Sequence, residues 1–101
     1  MGQDLRNPLD QALAAAAAGP FFPDWEFETL FGMSRAEVSA LVGTISGAPS
    51  TQQQRLGVGN AVNNLLGYPH GQEAQWPLWF TCTPGELELA YTTWRASSHE
   101  A

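Results

Sequence analysis

Met33–Pro49 reads MSRAEVSALVGTISGAP, and it decides the fold class. Ser34, Arg35, Ala36 and Glu37 match the S-x-x-E capping box, in which serine hydroxyl and glutamate carboxylate each accept from the other's backbone N–H. Met33 stands just before the cap, where it can staple onto Val38. Val38, Leu41, Val42 and Ile45 follow at i, i+3, i+4 and i+7, one stripe of a 3.6-residue period. Gly47 and Pro49 mark the stop. The spacing predicts a helix that opens after Ser34, runs to about Ile45 and buries one face.

The same punctuation recurs on both sides. Downstream, Ser50-Thr51-Gln52-Gln53 reads as a second capping box. It precedes a stripe of Val58, Ala61, Val62, Leu65 and Leu66 that Gly67 and Pro69 close. Gly57 and Gly59 weaken this helix by up to about 1 kcal/mol each relative to alanine, so they mark either a close helix–helix contact or a break. Thr83-Pro84-Gly85-Glu86 is a third box, with Cys82 placed to staple onto Leu87. Leu87, Ala90, Tyr91 and Trp94 share the face that follows, and Arg95 sits near the C-terminal end, where a cation suits the dipole. Upstream, Asn7-Pro8 opens a helix that Gly19-Pro20 stops. Its apolar stripe, Leu9, Leu13 and Ala16 or Ala17, is narrow, and alanine offers propensity more than burial, so a weakly packed helix is expected. Phe21-Phe22-Pro23 introduces a short helix to about Phe31, stopped by Gly32. Asp24 and Glu26 lie in its first turn, and Phe27, Leu30 and Phe31 face inward.

Tyr68–Thr81 (YPHGQEAQWPLWFT) is the one long irregular segment. Loops of this length are uncommon inside compact domains and are often functional. Leu78–Cys82 suits an extended strand, although no second strand is evident to pair it. The reading is a single domain over residues 1–101, with 96–101 a frayed tail. Its fold class is all-α: a compact bundle of about five short helices with one long aromatic loop, little or no strand, and over half its residues helical.

Composition narrows the function classes. The 101 residues hold ten acids against four arginines and no lysine, a formal net charge of −6. That surface repels phosphate backbones, so no nucleic-acid partner is expected. It favours a basic partner through faster encounter, although acidity also serves solubility alone. The single cysteine, Cys82, excludes an internal disulfide framework and fits a reducing compartment. The Leu13–Gly19 run (LAAAAAG) invites comparison with a signal peptide, but Asp4 and Asp10 outweigh Arg6 ahead of it where a signal peptide is positive. No stretch approaches the roughly 20 apolar residues of a membrane span. A cytoplasmic protein with no membrane partner is expected.

The candidate chemistry is sparse. His70, Glu73, Cys82 and His99 include metal-ligand types, but no spacing matches a zinc pattern, so no metal is expected. Cys82 with His70 would make a nucleophile and its base, and Cys82 precedes a helix N-terminus, a setting that can lower a thiol pKa. A small hydrophobic staple accounts for the cysteine equally. Gly57-Val58-Gly59 lacks the third glycine and the preceding strand of a dinucleotide fingerprint, so no cofactor is expected. Glu26, Glu28, Glu86 and Glu88 are nominal paired carboxylates that helix N-termini already explain. Asn60, Asn63 and Asn64 share a side of the fourth helix opposite its stripe, where a solvated polar face is the simpler account and a ligand or partner contact the alternative.

Two surface features remain. Asp24, Glu26 and Glu28 surround Trp25 on the second helix, and the long loop adds Tyr68, His70, Trp76 and Trp79. Tryptophan and tyrosine anchor interfaces, and acids around them suit a basic partner. The competing account places the tryptophans in the core, two of the four buried and at least one partly exposed. In small size, acidity and lack of an active site the chain resembles the immunity proteins and antitoxins that neutralise toxic enzymes. The likeness is one of type and covers no particular residues. It implies a bacterial, non-catalytic inhibitor that occludes a basic toxin or enzyme. The alternatives are a structural or adaptor subunit acting as a homodimer, and a small-molecule binder or enzyme using the His70 loop.

Overall fold

The computed structural model of the chain describes residues 7–45, 51–68 and 71–96. Among these residues six α-helices follow in order: α1 Pro8–Ala18, α2 Asp24–Phe31, α3 Arg35–Leu41, α4 Gln52–Gly67, α5 Trp76–Trp79 and α6 Pro84–Ala96, with a 3-10 turn over Glu73–Gln75 ahead of α5. Among the described residues no strand is present. The protein is an all-α bundle, as its periodicity dictates.

The caps set most of the boundaries. Asn7 accepts the Leu9 N–H at 2.9 Å and Gly19 ends α1. Ser34 and Glu37 form the reciprocal box, with N–H to oxygen distances of 3.1 and 2.7 Å. Thr83 and Glu86 repeat it at 3.1 and 2.8 Å. Gly32 takes the left-handed conformation, φ 67°, that closes α2. The fourth helix is capped one residue later than the Ser50 pattern suggests: Thr51 accepts the Gln54 N–H at 3.0 Å. Thr51 and Gln54 make an equivalent T-x-x-Q pattern, and a tertiary contact favours it. The Gln54 side chain is buried and donates to the carbonyl and hydroxyl oxygens of Thr44, both at 3.2 Å. Ser50, Gly47, Pro49, Pro69 and the tail beyond Ala96 lie outside the described residues.

Three expectations are overturned. First, α1 is the centre of the bundle and not a weakly packed helix. Ala12, Leu13, Ala15 and Ala16 are fully buried, and α1 packs against α3, α4, α5 and α6. Alanine's small side chain lets neighbours approach the helix from several sides at once, an effect that a count of large apolar residues misses. Its polar residues are tied in as well. The buried Gln11 amide donates to Thr81 Oγ1 at 3.0 Å and accepts the Thr81 N–H at 3.2 Å. Buried Asp10 accepts the Gly43 N–H at 3.0 Å.

Second, α3 ends at Leu41 and not near Ile45. Val42 is extended, and Gly43 at φ 85° turns the chain. Ile45 stays buried, but from the non-helical segment after the turn, held to the start of α1 by the Asp10 bond and by Asn7 Nδ2 donating to the Ile45 carbonyl at 3.4 Å. The helical spacing of Ile45 was therefore a coincidence of two different routes to the same core.

Third, the segment before Thr83 is not a bare loop, and Leu78–Cys82 is not a strand. Glu73–Gln75 and α5 form a helical unit whose turn places Trp76 and Phe80 on one side. Their rings stack at 4.0 Å, Trp76 meets Phe21 edge-on at 6.4 Å, and its indole N–H donates to the Cys82 carbonyl at 2.7 Å. Pro77 at the second position of α5 suits a helix start, where no donor is needed.

The two helical glycines mark close contact and not a break, since α4 continues through both. A Cβ on Gly57 would lie 2.5 Å from Leu41 Cδ1, and one on Gly59 would lie 2.9 Å from the Tyr91 hydroxyl. Bare backbone at these points lets α3 and α6 side chains sit directly on α4.

Candidate partner-binding face

The face is built on α2, which is anchored from below. Phe27 and Phe31 are buried one turn apart with rings stacked at 4.3 Å, and Phe22 packs edge-on against Phe31 at 5.2 Å. The open C-terminus of α2 is closed from α4. Asn60 Nδ2 donates to the Phe31 carbonyl at 2.7 Å and Asn64 Nδ2 to the Leu30 carbonyl at 3.1 Å. These amides therefore satisfy carbonyls that the helix itself leaves without donors. The expected solvated asparagine face is thus wrong for Asn60 and Asn64, which are partly buried structural caps, and holds for exposed Asn63.

The other end of α2 is secured by Arg35. Its Nη1 donates to the Ala16 and Ala17 carbonyls, each at 3.1 Å, and its Nη2 to the Phe22 carbonyl at 2.8 Å. Its guanidinium lies 4.5 Å from the Phe27 ring centroid, and Nη2 also pairs with Asp24 at 2.9 Å. One side chain from α3 thus closes the end of α1, holds the turn into α2 and offsets one α2 acid. The sequence contained a hint of it, since α1 has no basic residue of its own in its last turn.

What projects outward is Trp25, 79% exposed, between Asp24 and Glu28, both exposed, with Glu26 half-buried beside it. Glu26 accepts a hydrogen bond from the Tyr68 hydroxyl, whose ring lies 5.6 Å from that of Phe22. The carboxylate pushes the Tyr68 hydroxyl pKa above its ordinary value. Two candidates from distant parts of the sequence, the acidic helix and Tyr68, are thereby brought together. Among the described residues three carboxylates around Trp25 face one guanidinium, so this face is acidic.

The remaining candidates fall elsewhere. Trp76 and Trp79 are half-buried against the core, Trp79 within 3.2 Å of where a Gly19 Cβ would stand, and Trp94 is buried. They belong to the packing and leave Trp25 as the exposed indole. His70 lies outside the described residues. Leu78, 75% exposed, was not anticipated. The one-turn α5 turns Trp76 and Trp79 inward and leaves Pro77 and Leu78 outside, a pattern hidden while the segment is read as a loop. Burial, with the Glu86 carboxylate nearby, pushes the Cys82 thiol up, the opposite of what its place before a helix suggested, and a protonated thiol is a weak nucleophile. Among the described residues no three metal-ligating side chains cluster and no helix is long and apolar enough to cross a membrane. Comparison with protein families, curated proteins and solved structures finds no match to this chain.

Proposed function

We propose that the protein is a non-catalytic binding module whose α2 face, centred on Trp25, docks a protein with a basic surface. The observation that carries this reading is the 79% exposure of Trp25 on a helix braced at both ends. Leaving a large apolar side chain in water forgoes about 2 kcal/mol or more of burial that a core position would supply. Here that side chain stands on a fixed backbone and is ringed by acids, the arrangement of an interface anchor with a polar rim. A rigid support also lowers the ordering cost of association.

The concrete form we favour is a stoichiometric inhibitor of the immunity or antitoxin type, bacterial and cytoplasmic, occluding the basic active site of a toxin or enzyme. The net charge of −6 supports fast encounter with such a target, and the lone cysteine supports a reducing compartment. The test has two stages. Immobilised wild-type chain, Trp25→Ala and Glu28→Lys are compared for what they retain from a lysate, and the retained protein is then assayed for activity as wild-type chain is titrated in. A basic enzyme retained by wild type alone and silenced at one chain per enzyme supports the reading. Retention that ignores both substitutions, or an enzyme unaffected by the chain, rejects it.

A further inference from the structure

Where α2 ends against the start of α3 the chain leaves an open pocket of about 310 Å³, lined by Glu28, Gly32, Met33, Ser34 and Glu37. Gly32 turns the chain there in its left-handed conformation, and nothing lies within 4 Å of where its Cβ would stand. Met33 is buried and supplies an apolar wall. Trp25, Glu28 and Gly32 stand at i, i+3 and i+7 on one side of α2, so the pocket continues the face that Trp25 dominates. The charged side chains that line it are both acids. Of the α2 acids, Asp24 pairs with Arg35 and Glu26 accepts from Tyr68. Among the described residues Glu28 has neither kind of partner, and it stands in the last turn of α2, which holds no basic residue. A carboxylate there lies at the negative end of the helix dipole, where a cation is favoured and an anion is not. Glu37 reaches the same rim from α3, with Oε1 accepting the Ser34 N–H at 2.7 Å. Arg35 is bound to carbonyls of α1 and of the turn before α2 and does not line the pocket.

We propose that this pocket takes an arginine side chain of the basic protein that docks on α2, its guanidinium bridging Glu28 and Glu37. The assignment rests on the α2-face reading, because the arginine arrives on the surface that covers Trp25. Charge complementarity selects a cation: two carboxylates and the negative end of α2 converge on a space that no base of the described chain enters. A cation from outside relieves the unfavourable placement of Glu28. Arginine suits the geometry better than lysine. Its planar fork carries five donors and can serve carboxylates from two helices together, whereas an ammonium is a compact point charge. A guanidinium is also more weakly hydrated, so it loses less on entering a pocket walled by a thioether, and its stem has Met33 to pack on. With Trp25 one turn from Glu28, the two anchors fix the orientation of the partner as well as its sign.

The test uses the full chain and two probes, hexa-arginine and hexa-lysine peptides, titrated at physiological ionic strength. NMR shifts of the backbone amides and of the Met33 methyl group report where each binds and how tightly. Hexa-arginine should shift Gly32, Met33 and Ser34 and should bind more tightly than hexa-lysine. Glu28→Gln and Glu37→Gln should each weaken it by about five-fold or more, as each removes one charged acceptor. Glutamine serves a capping box as glutamate does, so Glu37→Gln keeps the Ser34 bond and the start of α3. Amide spectra unchanged away from the pocket establish that both variants are folded. Glu88→Gln, the same loss of charge at an exposed site on α6, should leave the affinity within about two-fold. Shifts centred elsewhere, binding that ignores Glu28 and Glu37, or equal affinity for the two peptides overturns the assignment. The peptides carry no partner surface, so this result is independent of the retention experiment. Retention that needs Trp25, with a peptide indifferent to both glutamates, defeats the pocket and leaves the α2 face standing. The reverse pattern defeats the docking face and the source of the arginine, but not the chemistry of the pocket.

Discussion

Replacing Arg35 should cost this protein more than any other exposed-edge substitution, and the size of the loss can be worked from its contacts. The guanidinium donates three hydrogen bonds to carbonyls of Ala16, Ala17 and Phe22. Two of these carbonyls sit in the last turn of α1, where the helix supplies no donor. Hydrogen bonds from a charged donor contribute about 1.5–3 kcal/mol each when well buried. Here the side chain keeps 30% of its surface in water, so about 1 kcal/mol each is the appropriate scale. The stacking on Phe27 adds roughly 0.5–1 kcal/mol. Arg35→Met, which keeps the stem and removes the charge, should therefore destabilise by about 3.5–4 kcal/mol. In a chain of this length that lowers Tm by roughly 15–20 °C. Arg35→Lys should lose about 2 kcal/mol, since a point ammonium cannot serve three carbonyls as the planar fork does. Asp24→Ala should change little, because the Asp24 side chain is 94% exposed and its bridge is solvent-screened. Urea denaturation followed by circular dichroism, with unchanged m-values, gives these numbers directly. An Arg35→Met midpoint within about 0.5 kcal/mol of wild type would refute the reasoning, showing that water serves those carbonyls as well as the guanidinium does.

Three further outcomes follow from the same geometry. Ser34→Ala and Thr83→Ala should each lose about 1 kcal/mol in urea melts, as each removes the hydroxyl half of an observed capping box. Asn60→Ala should lose about 1–2 kcal/mol by the same measurement, having left a partly buried carbonyl of α2 without its donor, whereas Asn63→Ala at an exposed site should be neutral. Asp10 carries a pH signature. Burial raises its pKa above 3.8 despite the bonds it accepts from Gly43 and Ile45, so the fold favours its protonated form. Its contribution is then present below pH 3.8 and is lost as pH rises through the higher folded value. Asp10→Asn, which mimics the neutral acid and keeps an acceptor for Gly43, should match wild type in acid and become relatively more stable as pH rises to neutral. Stability curves of the two proteins that run parallel from pH 3 to 7 would contradict this assignment.

Much of this architecture was determined locally. The boxes at Ser34–Glu37 and Thr83–Glu86, the Asn7 cap, the left-handed Gly32 and the stripe Leu87, Ala90, Tyr91 and Trp94 depend on neighbours within a turn or two, and each formed where the sequence placed it. The acidic α2 face was legible for the same reason: a helix that buries Phe27 and Phe31 has no freedom to hide Trp25, two residues before Phe27. The tertiary structure decided what local pattern leaves degenerate. Alanine reads as mere propensity until neighbours close around it, which is how α1 became the central helix. Asparagine reads as solvated until another helix ends beside it, as α2 does at Asn60 and Asn64. The loop aromatics read as either anchor or core, and only packing turned Trp76 and Trp79 inward while it left Leu78 between them in water. Arg35 shows the difference most sharply. Its place in the capping box follows from residues 34–37, but its bonds to residues 16, 17 and 22 exist only because α1 and α3 meet, and no spacing along the chain records that meeting.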